Sequence, residues 1–174
     1  YGPNMHEFGR KYMDRGYGGR FRKWLESDNP EPYDSYGNGS AMRVSAVGYA
    51  FHDLSRVSQE AEWTARPSHN HPEGIKGAQA LAAAVFLARK GKSKKEIKSY
   101  VESNYKYNLN RHIKDIRKNY KFDVTCQGSV PEAIIAFLDS DNVEHAIRLG
   151  ISLGGDADTL GCMAGAVGQA FDNE

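Results

Sequence analysis

A chain of 174 residues, 40% hydrophobic and 26% charged, can bury a core of its own and reads as one globular domain over residues 1–174. No run of about 18 apolar residues occurs, so nothing in it spans a membrane as a helix. Its two cysteines, Cys126 and Cys162, are too few for a disulfide framework, and a reducing cytoplasm suits them best. The formal net charge of +1 hides an asymmetry. From Arg89 to Lys121 there are 12 Lys and Arg against 3 acids, whereas Phe122 to Glu174 carries 1 against 9. A solvated helical face accounts for the basic stretch, with phosphate or nucleic acid as the alternative partner. No RNA- or DNA-binding motif accompanies it.

In chain order, Glu7 to Asp14 has a short helical pattern that stops at Gly16. Arg20 to Leu25 places Phe21 and Trp24 on one helical face. Asp28 to Asn38, with Pro30, Pro32 and Gly37, has the composition of an irregular loop, and loops of that length are often functional. Ala41 to Phe51 then reads as one buried helix, and Ser55 opens another that runs through Trp63 to its stop at Pro67. Ile75 to Lys90 is so rich in alanine that neighbouring helices can approach it closely, which marks a central helix. Ser93 and Glu96 form a capping box for a helix to about Tyr105. Asn110 to Tyr120 predicts a further helix, and Val124 to Ser129 a loop. Pro131 is placed in the first turn of a helix through Leu138, and Asp141 is the expected cap of Val143 to Ile151. Without strand alternation anywhere, the fold class is all-α, a compact multi-helix bundle.

Three stretches carry chemistry. Ser35-Tyr36-Gly37-Asn38-Gly39-Ser40 puts glycines before a helix, where backbone can approach a phosphate, although a plain turn explains the same residues. His69 and His71 could hold a transition metal or hydrogen-bond a sugar; surface or capping roles are the alternative, and no thiol lies nearby to complete a zinc set. Gly154-Gly155-Asp156-Ala157-Asp158-Thr159 opens the last helix, whose Gly161, Ala164, Gly165 and Gly168 make one thin face for close packing. An N-cap needs a single acceptor, so Asp158 and Thr159 in the same turn ask for a reason. Clustered oxygen ligands favour magnesium, manganese or calcium over zinc or copper.

In order along the chain, Tyr36 to Val44, Ser68 to Ala80, Ser129-Val130-Pro131-Glu132-Ala133 and the Gly154 to Thr159 motif resemble the ADP-ribosylglycohydrolase family. That family includes hydrolases that remove ADP-ribose from modified dinitrogenase reductase and other proteins. The resemblance implies an all-α fold with a binuclear Mg2+ or Mn2+ centre, to which Asp156, Asp158 and Thr159 contribute. It implies an ADP-ribose loop at Ser35, Tyr36, Gly37 and Asn38, and a ligand contact from His69. The expected partner is ADP-ribose or an ADP-ribosylated protein, and the expected reaction is cleavage of the glycosidic bond to the modified side chain. The family's Thr-Asp-Asp-Thr metal motif and its acidic base have no counterpart in Tyr1 to Asn38, so the chain is expected to be the central part of a longer enzyme, with its catalytic base outside the chain. An inactive ADP-ribose-binding module is the alternative function. A manganese glycosyltransferase using Asp-x-Asp would instead need an α/β sheet.

Overall fold

The computed structural model describes residues 1–172. Among them lie eleven helices, α1 (Gly2–Lys11), α2 (Gly19–Glu26), α3 (Gly39–Met42), α4 (Ser45–Ala50), α5 (Leu54–Ala65), α6 (Pro72–Arg89), α7 (Lys94–Tyr105), α8 (Ile113–Ile116), α9 (Cys126–Leu138), α10 (Val143–Ile151) and α11 (Ala157–Asp172). The described residues contain no strand beyond one isolated antiparallel bridge, Gly37 with Thr125. The all-α expectation therefore holds. Among the described residues, no helix is long and apolar enough to cross a membrane.

Helix α6 is the axis. Every residue from Ala80 to Ala88 is buried, and α3, α4, α5, α7, α9 and α11 all pack against it. A helix enclosed on every side has no need of a polar face, which is why its apolar residues run continuously. Its small side chains set the approach distances: a Cβ on Gly48 of α4 would stand 2.6 Å from Val85 Cγ1 and 3.0 Å from Ala82 O. The thin face of α11 works in the same way against α10. A Cβ on Gly165 would meet Ile147 Cγ1 at 2.8 Å, one on Gly161 would meet Ile151 Cγ1 at 3.1 Å, and one on Gly168 would meet Ala146 Cβ at 3.4 Å. Glycine in a helix costs roughly 0.5–1 kcal/mol relative to alanine, and near backbone-to-backbone packing offsets it.

Several boundaries differ from the sequence expectation for identifiable reasons. The helix expected over Ala41 to Phe51 breaks at Arg43 and Val44, both near ψ 0. Val44 N bonds back to Ala41 O in a tight turn, while Arg43 turns inward to donate from Nη2 to Thr64 O (2.8 Å) and Ser68 Oγ (3.1 Å). The helix expected over Asn110 to Tyr120 is reduced to α8. Lys114, Arg117, Lys118 and Lys121 repel one another at helical spacing, and a borrowed cap, Ile113 N donating to Asp139 Oδ2 (2.8 Å), holds the one turn that forms. Helix α9 begins at Cys126, so the loop expected over Val124 to Ser129 is mostly helical and Pro131 stands inside the helix. Thr125, whose Oγ1 accepts from Gly128 N (3.1 Å), supplies the start. The caps of α5 and α10 are Asp53 and Asn142 rather than Ser55 and Asp141, each accepting from the amide three residues on. The capping box of Ser93 and Glu96 is present as expected.

Candidate functional site

The short helix α3 touches α6, α9, α11 and α5, and the segment entering it carries the four loop residues singled out in the sequence. Two main-chain bonds fasten that segment to the chain entering α9: Asn38 N donates to Val124 O and Cys126 N donates to Tyr36 O, both at 2.8 Å. Ser35 Oγ accepts from Gly37 N (3.2 Å), closing a tight loop. From beneath, Gly74 at the start of α6 presses on it so closely that a Cβ there would stand 2.5 Å from Ser35 O. Ser35 and Asn38 are buried, and Tyr36 is exposed. A buried thiol, Cys126 Sγ, lies 3.2 Å from Gly37 O under the same loop.

His69 is brought to this loop, with Nε2 3.2 Å from where a Cβ on Gly39 would be and 3.5 Å from one on Gly37. Its protonation follows from its neighbours. Ser68 Oγ accepts from Arg43 Nη2 and lies 2.8 Å from His69 Nδ1. In the tautomer where the serine donates to Nδ1, the hydrogen of the neutral ring stands on Nε2, facing the glycine loop. Burial, reinforced by the charges of Arg43 and Arg20, lowers the His69 pKa to about 3, so the ring is a neutral donor at ordinary pH. Burial also lowers Arg43 to about 10, which leaves it charged. His71, without a function from sequence, caps α6 by accepting Glu73 N on Nδ1 (3.1 Å) and sets its ring edge-on to Tyr36 at 5.2 Å. The capping reading of the His-x-His pair is the one realised at this position.

The Gly154 to Thr159 motif meets the loop from the other side. Gly154 and Gly155 have φ of +74° and +64°, a backbone turn that other residues adopt only with strain. Gly155 also lies under Tyr120 and Phe122, where a Cβ would stand 3.1 Å from Tyr120 Cε1 and 3.2 Å from Phe122 Cα. Asp156 stands at the N-cap position, its carbonyl accepting from Leu160 N (3.0 Å). Its carboxylate, however, does not cap: Oδ2 accepts from Asn38 Nδ2 at 2.7 Å. Asp158 Oδ1 accepts from Thr159 N (2.9 Å), and buried Thr159 points Oγ1 at Met42 Sδ (3.7 Å).

The donor set bears on the expected metal. Two carboxylates and a hydroxyl in one turn are hard oxygen ligands, and each carboxylate keeps one oxygen with no partner among the described residues. No group of three or more His, Cys, Asp or Glu side chains able to hold a metal ion occurs among the described residues. The donor chemistry of this turn suits a hard divalent ion whose remaining shell is water or substrate, which is how Mg2+ is usually held. The sequence left Ser129 without a role, although it lies in one of the quoted motifs. Its Oγ accepts from Asn38 Nδ2 at 3.0 Å and donates to Asp123 O at 3.0 Å. Arg43 and Ser68, also inside quoted motifs, were likewise without a role, because their pairing spans 25 positions.

Comparison with known proteins gives the family. The family model described as ADP-ribosylglycohydrolase matches residues 4–170. The chain is 29% identical to ADP-ribosylhydrolase ARH3 of Gallus gallus, over 95% of this chain and 61% of that protein. It is 27% identical to the Homo sapiens protein of the same name, over 95% and 63%. ADP-ribosylarginine hydrolase Tri1 of Pseudomonas putida is 27% identical over 78% of this chain and 38% of its own length. A solved structure titled ADP-ribosylglycohydrolase-related protein complex has the same fold, with a TM-score of 0.79 at 23% identity over 98% of this chain and 64% of that one. The chain thus spans about three fifths of the length of the ARH3 proteins it matches. With the family model covering residues 4–170, this chain belongs to the ADP-ribosylglycohydrolase family.

Proposed function

We propose that the protein carrying this chain hydrolyses the bond between ADP-ribose and a modified side chain. The observation that carries this reading is the bond from Asn38 Nδ2 to Asp156 Oδ2 (2.7 Å), which joins the glycine loop to the carboxylate turn across 118 positions of sequence. One half offers donors for a diphosphate. The amide of Gly37 is spent on Ser35 Oγ, so the donors available are the His69 Nε2 hydrogen and the amide of Gly39 where α3 begins. The other half offers oxygen ligands from Asp156, Asp158 and Thr159.

Cleavage at C1 of the distal ribose develops oxocarbenium character and needs water delivered to that carbon. Mg2+ or Mn2+ held by Asp156, Asp158 and Thr159 would supply positive charge to orient ribose hydroxyls and acidify a water. A binuclear centre would draw further carboxylates from outside this cluster. Around that chemistry, the chain's own groups position the substrate. His69 stays neutral and donates, the crowded contact of Gly74 with Ser35 O fixes the loop height, and Asn38 holds Asp156 in line with the loop.

The test is release of ADP-ribose by the full-length protein with Mg2+, using peptides modified through arginine and through serine. Asp156→Asn and Asp158→Asn should abolish release while the fold is kept. Binding of ADP-ribose by calorimetry with no release from any modified peptide would replace this reading with that of a binding module.

A further inference from the structure

We propose that Ser129 is a positioning residue that aims the Asp156 carboxylate through the amide of Asn38. This rests on the reading of Asp156 as a metal ligand. The hydroxyl of Ser129 has a single proton, and the geometry commits it to Asp123 O at 3.0 Å. That carbonyl belongs to a fixed turn, since Asp123 Oδ1 accepts from Thr125 N (2.8 Å). With its proton spent, Ser129 Oγ can only accept, and what it accepts is a hydrogen of Asn38 Nδ2 (3.0 Å). An ionised Asp156 can also only accept, and it takes the other Nδ2 hydrogen (2.7 Å).

Both neighbours of the amide therefore demand its NH2 end. Rotating Asn38 by half a turn would set Oδ1 against two acceptors inside a buried site, so one orientation survives. Ser129 is fully buried, and in the first turns of α9 it is held as rigidly as the helix. A relay from Asp123 O through Ser129 and Asn38 thus pins Asp156 Oδ2, and it leaves Oδ1 as the oxygen presented to an ion. Oriented ligands of this kind raise metal affinity, and removal of such a partner typically costs about 10–100-fold.

The experiment compares Ser129→Ala and Ser129→Thr with wild type in the full-length protein, reading Mn2+ affinity by electron paramagnetic resonance of the free ion. It also reads hydrogen exchange of the Asn38 side-chain NH2 by 15N NMR, which needs no metal. Expected are a Mn2+ affinity about tenfold or more weaker in Ser129→Ala, recovery in Ser129→Thr, and loss of protection of the Asn38 NH2 in the alanine variant alone. Unchanged Mn2+ affinity in Ser129→Ala, with only a lower melting temperature, would reduce Ser129 to a packing residue. Rapid exchange of the Asn38 NH2 in wild type would overturn the relay by itself. Should wild type hold Mn2+ without releasing ADP-ribose, the functional reading falls while the relay is still measured.

Discussion

Replacing Gly74 by alanine sets two effects of opposite sign against each other. Gly74 is the third residue of α6, and alanine there gains helix propensity of up to about 1 kcal/mol. The added Cβ would stand 2.5 Å from Ser35 O, 3.0 Å from His69 O and 3.2 Å from His69 Cβ. Two of these neighbours are backbone, which cannot rotate away, so relief requires the loop or the helix start to move. Overpacking of this kind costs about 1–3 kcal/mol, and the first turn of a helix realises only part of the propensity gain. The net expectation is a loss of roughly 1–2 kcal/mol, which for a chain of this length lowers the melting temperature by about 2–8 °C. Because the displaced atoms belong to the glycine loop and to His69, ADP-ribose affinity should fall with it. Thermal unfolding and calorimetric titration with ADP-ribose measure the two together. A rise in melting temperature with affinity unchanged, the result that propensity alone gives, would refute the close contact.

Three other expectations follow from the same geometry. His69 is held at about 3 against an ordinary value of 6.5, so between those pH values the unfolded chain binds a proton that the folded one does not. Stability from this group is complete above pH 6.5 and falls as pH drops toward 3; His69→Gln should flatten that part of the melting-temperature profile, and an identical slope would contradict the buried neutral ring. Asn142→Ala should destabilise by about 1 kcal/mol through loss of the α10 cap. Asp141→Ala should stay within about 0.5 kcal/mol, because its carboxylate is exposed and, among the described residues, pairs with His145 alone; denaturant midpoints in the reverse order would restore Asp141 as the cap. Gly155→Ala, forced to a positive φ and against Tyr120 and Phe122, should weaken divalent-ion binding by displacing Asp156, and wild-type Mn2+ affinity would disprove that coupling.

The legible parts of this fold are those decided within a few residues. The Ser93–Glu96 box, the glycine stop at Gly91 and the alanine run of α6 each follow from local chemistry. The thin face of α11 was also readable, since interior glycines at helical spacing have few other uses. What sequence could not supply was long-range. Arg43 breaks a helix because of acceptors at Thr64 and Ser68. Pro131 misled because proline usually marks a first turn, whereas here a threonine cap six residues before the proline starts the helix and burial of α9 tolerates the lost bond. In the site, the residue types of both halves could be read from the motifs. The amide of Asn38 that joins them, and the Ser129 hydroxyl behind it, arise from pairings 118 and 91 positions apart, which no local pattern records.

The central claim is that the glycine loop and the Asp156 turn form one site, with the distal ribose at the metal end and the diphosphate at His69. Proton relaxation of ADP-ribose bound to the Mn2+-loaded full-length protein tests it directly, since broadening falls steeply with distance from the ion. The account predicts strong broadening of the distal-ribose protons, weaker broadening of the adenine protons, and loss of both in Asp156→Asn. Equal broadening along the whole ligand, or a ligand bound with none, would place metal and ADP-ribose in separate sites and contradict it.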